Sequence, residues 1–311
     1  MAQAPKDNYL AKFKKFDLAQ ASGALWVFRK YSAGGQVRYT AKWVDVQGDV
    51  VEALSDVTAM YQGLLAETIE YTALAEIGES QALHVSADQT HISLLVDLVK
   101  QPKQENQVQS EEELHNIAGY VFHLQAGNEN LYCIRKASSS WKAKKAFSFV
   151  NVVFREKELE LVDDPAFRLD KAFDMFLMDD HLIIPEKRAF ESLLNYTQDF
   201  ATSFEELVVA PEFSGLFETT DAIVEFVGTN AIQLRRMTVI REKGFFKDPS
   251  FMKRLKAENK KKAWGIKFNK AGEIVPSAET MRTIMSVLLD HRLTSLLSNT
   301  TYDVPSTIAI V

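Results

Sequence analysis

Two runs of β-branched and aromatic residues, residues 24–31 and 37–43, stand on either side of Ser32-Ala33-Gly34-Gly35. Such runs suit a pleated sheet surface and the paired glycines suit a tight reversal, so the pattern predicts an antiparallel hairpin. A lone hairpin is marginal in water and has to be extended or covered. The segments that follow supply both. Val50, Ala53, Leu54, Val57, Met60, Tyr61, Leu64, Leu65, Ile69 and Leu74 recur at helical spacing, which predicts one long helix over 49–76, weakened at Gly63. Residues 82–86, 92–99, 120–124 and 131–135 read as short strands. The polar stretch 101–110 reads as a surface loop, and Glu111-Glu112-Glu113 opens a short helix or decorates that loop.

Past the polar connection 137–140, residues 147–154, 159–162 and 173–177 read as further strands, and Asp179-Asp180 marks a turn before 182–184. Helix then dominates at 186–196, 203–210 and 218–227. Another helix is expected over 248–263, with Asp248 as N-cap and Pro249 in the first turn. A strand at 266–268 and a turn at 270–273 lead to a last helix from Pro276-Ser277. Its stripe is Met281, Ile284, Met285, Leu288, Leu289, Leu293 and Leu296. The apolar tail 307–311 could pair with a sheet edge. The expected class is α+β, with a strand-rich N-terminal half (hairpin, long helix, mixed sheet) and a helix-rich C-terminal half. The expected domains are 1–150 and 151–311.

The chain has 311 residues, 46% of them hydrophobic, enough for a core without a disulfide or metal staple. Cys133 is its only cysteine, which excludes an intramolecular disulfide and a cysteine-based zinc cage and fits a reducing compartment. The N-terminus has no apolar signal region, and the greasiest stretches are too short to span a bilayer. A cytoplasmic chain is therefore expected, held at any membrane by a partner.

The net charge of −6 conceals an asymmetry. Residues 231–270 hold thirteen Lys/Arg against three acids, a net of +10, while the remainder holds 23 basic against 39 acidic residues, a net of −16. That distribution points to an anionic partner meeting one region. The basic set is Arg235, Arg236, Arg241, Lys243, Lys247, Lys253, Arg254, Lys256, Lys260, Lys261, Lys262, Lys267 and Lys270. Lys253, Lys256 and Lys260 fall at i, i+3 and i+7, one face of a helix whose Phe251, Met252 and Leu255 face the core. With Trp264 as a stacking surface, this set is expected to neutralise nucleic-acid phosphates. A lysine-bearing helix face is ordinarily just solvated; the density here is what sets it apart. A secondary group is Arg135, Lys136, Lys142, Lys144 and Lys145 around Trp141. Lys12, Lys14 and Lys15, with Phe13 and Phe16, read as a face of the first element.

The competing enzymatic reading is a metal-dependent nuclease. Asp163, Asp164, Asp170, Asp174, Asp179 and Asp180 fall in one stretch, and two carboxylates could hold Mg²⁺. The Glu258-Asn259-Lys260 triplet has the Glu-x-Lys form of common nuclease cores, but it lies in a helical pattern without apolar strand flanks. The six histidines lack metal spacing, and no phosphate-binding loop, dinucleotide fingerprint or nucleophile elbow is present. Cys133, between Tyr132 and Ile134, reads as buried. No catalytic residue, cofactor or metal is expected, and the chain is expected not to be an enzyme. A third reading is a scaffold whose basic face meets anionic lipid or a protein partner.

Five segments carry a family likeness in their order and spacing. They are Phe167-Arg-Leu-Asp-Lys-Ala-Phe-Asp-Met-Phe-Leu-Met-Asp-Asp-His-Leu-Ile-Ile184, Phe190-Glu-Ser-Leu-Leu-Asn-Tyr196, Gly244-Phe-Phe-Lys-Asp-Pro249, Gly272-Glu-Ile-Val-Pro276 and Leu288-Leu-Asp-His-Arg-Leu-Thr-Ser295. Across residues 120–303 the chain resembles the KwaB subunit family of the bacterial Kiwa anti-phage defence system. The resemblance implies a DNA-binding effector that partners a small transmembrane subunit, KwaA, at the cytoplasmic side of the membrane. It further implies self-association as a homodimer or higher homo-oligomer, and suppression of phage DNA replication and expression without an established catalytic centre. The resemblance supplies no DNA-contact motif, so the site residues above rest on charge and helical spacing.

Overall fold

The computed structural model describes residues 8–33, 36–99, 102–138, 141, 152–155, 158–161, 167–294 and 300–304. Contacts divide the chain into two units. The first takes in Met1–Glu70 and Ile77–Asn195, the second Tyr71–Glu76 and Tyr196–Val311. The division expected at 150/151 thus falls inside the first unit. The reason is that Met175–Met178 and His181–Ile184, which lie beyond it, are inner strands of the first unit's sheet.

In the first unit, α1 (Asn8–Lys15) precedes the hairpin β1 (Ser22–Ala33) and β2 (Gln36–Val44), then α2 (Gly48–Leu64), β3 (Glu67–Glu70), β4 (Gln81–Ser86) and α3 (Ile92–Val96). Strands β5 (Gly119–Ala126), β6 (Glu129–Lys136), β7 (Val152–Arg155), β8 (Glu158–Leu161), β9 (Met175–Met178) and β10 (His181–Ile184) follow, then α4 (Lys187–Leu193). Eight strands form one sheet in the order β2-β1-β5-β6-β9-β10-β4-β3. Only the β3–β4 pair is parallel, so the sheet is mixed, as expected. Strands β7 and β8 pair with each other outside it.

Both faces of the central strands are covered, which is why Met175-Phe176-Leu177-Met178 is apolar at every position. Leu25, Val27, Tyr120, Phe122, Leu124, Leu131, Cys133, Phe176 and Ile183 pack with Leu10 and Phe13 of α1 and Leu54 and Val57 of α2. The alternate set, including Trp26, Phe28, Val121, Ile134 and Leu182, is buried as well. The α4 end is fixed by Tyr39 Oη, which donates to the Leu193 carbonyl at 2.6 Å, and by Lys30 Nζ, which donates to the Ser192 carbonyl at 2.6 Å. At Gly119 a side chain would collide with the Arg135 carbonyl and the Phe28 ring, so close strand packing demands glycine there.

The second unit comprises α5 (Tyr196–Val209), α6 (Pro211–Ser214), α7 (Asp221–Val227), α8 (Ala231–Lys243), α9 (Phe251–Lys262), the hairpin β11 (Lys267–Phe268) and β12 (Ile274–Val275), α10 (Met281–Leu288), and the ribbon β13 (Arg292–Thr294) and β14 (Thr301–Asp303). Its core gathers Phe204, Phe213, Phe217, Met237, Ile240, Leu255, Ile274, Ile284 and Leu288.

The α+β class and its distribution stand, but several boundaries move. Helix α2 stops at Leu64 instead of 76, because residues 67–70 are drawn into the sheet and Ala73 is buried in the second unit's core. The apolar run read as a strand over 92–99 begins as α3, opened by the Thr90 hydroxyl accepting from the Ile92 amide at 3.2 Å. The last helix starts at Met281 and ends at Leu288. Asp290 reverses the chain at φ 57, and Leu293 falls on β13 instead of the helical stripe. Of the strand expected over 147–154, β7 carries the described part. The tail 307–311 lies outside the described residues.

Candidate nucleic-acid interface

Helix α9 follows a tight turn. The Asp248 carboxylate accepts from the Ser250 amide and hydroxyl, each at 2.8 Å, and from Arg254 Nη2 at 2.8 Å. Those donors hold the Asp248 carboxyl below the usual carboxylate range, the Ser250 amide most of all. The helix therefore begins at Phe251, later than the Asp248 expected as its cap, because the carboxylate closes the preceding turn. Phe251 and Leu255 are buried, leaving Lys253, Lys256 and Lys260 exposed on the opposite side.

The C-terminal end of α9 is latched to the next hairpin by Asn259. Its Nδ2 donates to the Ile266 carbonyl at 2.9 Å and its Oδ1 accepts from the Ile266 amide at 3.0 Å. Lys256 Nζ then lies over the Phe268 ring at 5.4 Å. It also abuts Gly272 at φ +89, where a side chain would collide with it. Helix α9 and the β11–β12 turn are thus joined, and Lys270 is exposed in that turn, two residues before Gly272. Lys267 alternates with Phe268 and so points to the other side of the hairpin. Lys247, Lys253, Lys256, Lys260, Lys267 and Lys270 are exposed, and no carboxylate lies within salt-bridge reach of them among the described residues.

The rest of the predicted set is committed elsewhere. Arg241 Nη1 pairs with Glu206 at 2.6 Å and donates to Ser203 Oγ at 3.2 Å. Arg235 lies half-buried over the Phe200 ring at 6.0 Å, and Arg236 donates to Gln233 at 3.4 Å. Lys243 donates to the Leu289 carbonyl at 2.9 Å, satisfying a helix-end acceptor, and burial lowers its pKa. Arg254 is paired with Asp248, Lys261 sits 3.8 Å from Glu258, and Lys262 is half-buried. Trp264 is not an open stacking platform. It packs against the core, and Arg292 covers its ring at 5.7 Å, itself held by Asp303 through two bonds of 2.7 Å.

The secondary group changes character too. Arg135 bonds Asp174 through Nη1 and Asp170 through Nη2 at 3.1 Å, so its charge is spent inside the first unit. Asp174 is fully buried and also accepts from the Lys136 amide at 2.7 Å; burial raises its carboxyl pKa against those donors. Trp141 is buried, with Nε1 donating to the Leu114 carbonyl at 2.9 Å. Lys136 is exposed and donates to Ser192 Oγ at 2.8 Å. Lys142, Lys144 and Lys145 lie outside the described residues. Lys12 pairs with Asp179 at 2.8 Å, while Lys14 and Lys15 are exposed on α1.

The acids of the nuclease reading have structural partners. Asp170 and Asp174 hold Arg135, Asp179 holds Lys12, and Asp180 bonds His181 Nδ1 at 2.8 Å. Asp163 and Asp164 lie outside the described residues. No group of three or more His, Cys, Asp or Glu side chains is placed to hold a metal among the described residues. The Cys133 thiol is buried, and its pKa is pushed up to about 12. No helix among the described residues is long and apolar enough to cross a membrane.

The fold and this site define an α+β protein whose helical unit carries an exposed lysine face that no carboxylate pairs among the described residues. Residues 114–298 match the family model for the Kiwa protein KwaB-like family, which covers more than half of the chain. The protein belongs to the KwaB-like family, whose setting is Kiwa anti-phage defence. No curated protein and no solved structure matches the chain.

Proposed function

We propose that this protein is a non-catalytic nucleic-acid-binding component of anti-phage defence. It grips DNA phosphates without sequence preference and so blocks phage DNA replication or expression. In this reading it acts beside a transmembrane partner, and Lys253, Lys256, Lys260 and Lys270 make the principal contacts. The observation that supports it is the lysine ladder on α9, exposed and with no carboxylate in salt-bridge reach among the described residues, in an otherwise acidic chain. Lysines read phosphates as point charges and carry no base preference.

The test is binding of the full chain to a random-sequence DNA duplex by fluorescence anisotropy. The variant Lys253→Glu/Lys256→Glu/Lys260→Glu is expected to lose binding by at least two orders of magnitude with an unchanged circular dichroism spectrum. Retained affinity in a folded variant rejects this face. Anionic phospholipid vesicles serve as competitor, because their headgroups offer the same phosphate charge. Displacement by vesicles but not by duplex would favour the scaffold reading. Cleavage of linear or circular DNA in Mg²⁺ or Mn²⁺ would overturn the non-catalytic assignment.

A further inference from the structure

The outward face of α2 has the same pattern as the α9 ladder with the charges reversed. On α2, Asp49, Glu52, Ala53 and Asp56 are exposed in the order i, i+3, i+4, i+7; on α9, Lys253, Lys256, Ala257 and Lys260 are exposed in that same order. Each charged row spans about 10.5 Å at the helical rise, and each has a small residue at its centre, where two helices can approach closely. Among the described residues Glu52 and Asp56 have no cation within salt-bridge reach, and Asp49 accepts from the Val50 amide of its own helix at 2.8 Å. The α2 face does not end in charge. Its last two turns expose Met60 at 49% and Leu64 at 45%, with Ala59 and Gly63 beside them. Met60 and Leu64 stand one turn apart on the exposed side of a helix otherwise seated on a sheet, and so offer apolar area to a partner. Beyond Lys253, the approach to α9 exposes an apolar residue of its own, Phe245 at 44%. An antiparallel pairing sets Asp56 against Lys253 and Asp49 against Lys260, and carries Met60 and Leu64 toward that end.

We propose that the exposed face of α2 docks the α9 ladder of a second copy of this chain. Three charge pairs fix the register, and Met60 and Leu64 supply the apolar contact. The occupant is argued from complementarity: the +10 region meets a face of opposite charge whose end rows coincide and whose middle charges, Glu52 and Lys256, fall one residue apart. A consequence follows that rests on the phosphate-binding reading above. The same lysines serve both contacts, so self-association and nucleic acid exclude one another, and a high DNA concentration separates the copies.

The experiment is sedimentation velocity on the full chain at tens of micromolar, without nucleic acid and at low salt. The wild type is expected to associate, and to dissociate in about 1 M salt, where screening shortens to about 3 Å. Asp49→Lys/Glu52→Lys/Asp56→Lys and Lys253→Glu/Lys256→Glu/Lys260→Glu are each expected to weaken association at least tenfold. Mixing the two variants is expected to restore it, since each presents the face the other lacks. Recovery on mixing cannot come from a merely misfolded chain. A monomeric wild type under these conditions, or no association in the mixture of folded variants, overturns the proposal. Failure of the wild type to bind DNA while it still associates would count against the phosphate reading alone.

Discussion

At the scale of single residues, the basic side chains of this protein sort by what stands next to them. Arg135 and Lys253 look equally available in a linear chain, yet Arg135 is locked between Asp170 and Asp174, whereas Lys253 is exposed with no carboxylate in salt-bridge reach among the described residues. Removing Arg135 strands a fully buried carboxylate, so Arg135→Ala is expected to destabilise the fold by about 3–5 kcal/mol, measured by urea denaturation. The Arg292–Asp303 pair supplies a pH signature. Arg292 holds the Asp303 carboxyl below its usual range, so the pair's contribution is present above the unfolded value of about 3.9 and is lost as the pH falls through the lower folded value. The stability gap between wild type and Asp303→Asn is expected to be below about 1 kcal/mol at neutral pH, since Asp303 is half-exposed, and to close below about pH 4. A gap that widens in acid would mean the pair does not hold the ribbon. The roles of Arg135, Arg241 and Trp264 were not legible in the sequence, because Asp174, Glu206 and Arg292 are remote along the chain and only folding brings them into reach.

At the scale of elements, legibility followed the clarity of the period. The β1–β2 hairpin was readable because both strands are rich in β-formers and the residues between them include Gly34-Gly35, and β5 and β6 were readable as short apolar runs. The α9 face was readable because lysines at i, i+3 and i+7 oppose Phe251 and Leu255. The misreadings arose where period alone is ambiguous. A short apolar run such as residues 92–99 fits either strand or helix, and Ile69 continues a helical stripe while sitting in a strand. The Asn259 latch was invisible for a different reason: its two bonds to Ile266 depend on the left-handed turn at Ala263, φ 52. That latch is open to test. Asn259→Ala removes no charge but frees the β11–β12 hairpin from α9, so duplex affinity is expected to fall about three- to tenfold through Lys270, with Lys253 and Lys260 still engaged. An affinity equal to wild type would show that the hairpin takes no part.

At the scale of the whole molecule, the division of labour is electrostatic. One unit is built on a sheet whose central strands are covered on both faces, and the other carries the excess positive charge on a helix and a hairpin turn. Family membership places the protein in Kiwa defence, and the match over 114–298 includes the entire lysine face. What the sequence could not disclose is that only part of the +10 region stays available, since Arg241, Lys243 and Arg254 are spent on internal contacts. The number of cations open to a partner is therefore smaller than the composition suggests. Four phosphate contacts on a duplex imply a slope of log K against log salt of about −3.6, and roughly a hundredfold loss of affinity between 50 and 200 mM salt. The measurement that tests this most directly is that slope for the wild type beside Lys253→Gln/Lys256→Gln/Lys260→Gln. The expected result is a slope near −3.6 that shrinks by about 2.7 in the variant. An identical slope in the two proteins would contradict the claim that this ladder is where the protein holds nucleic acid.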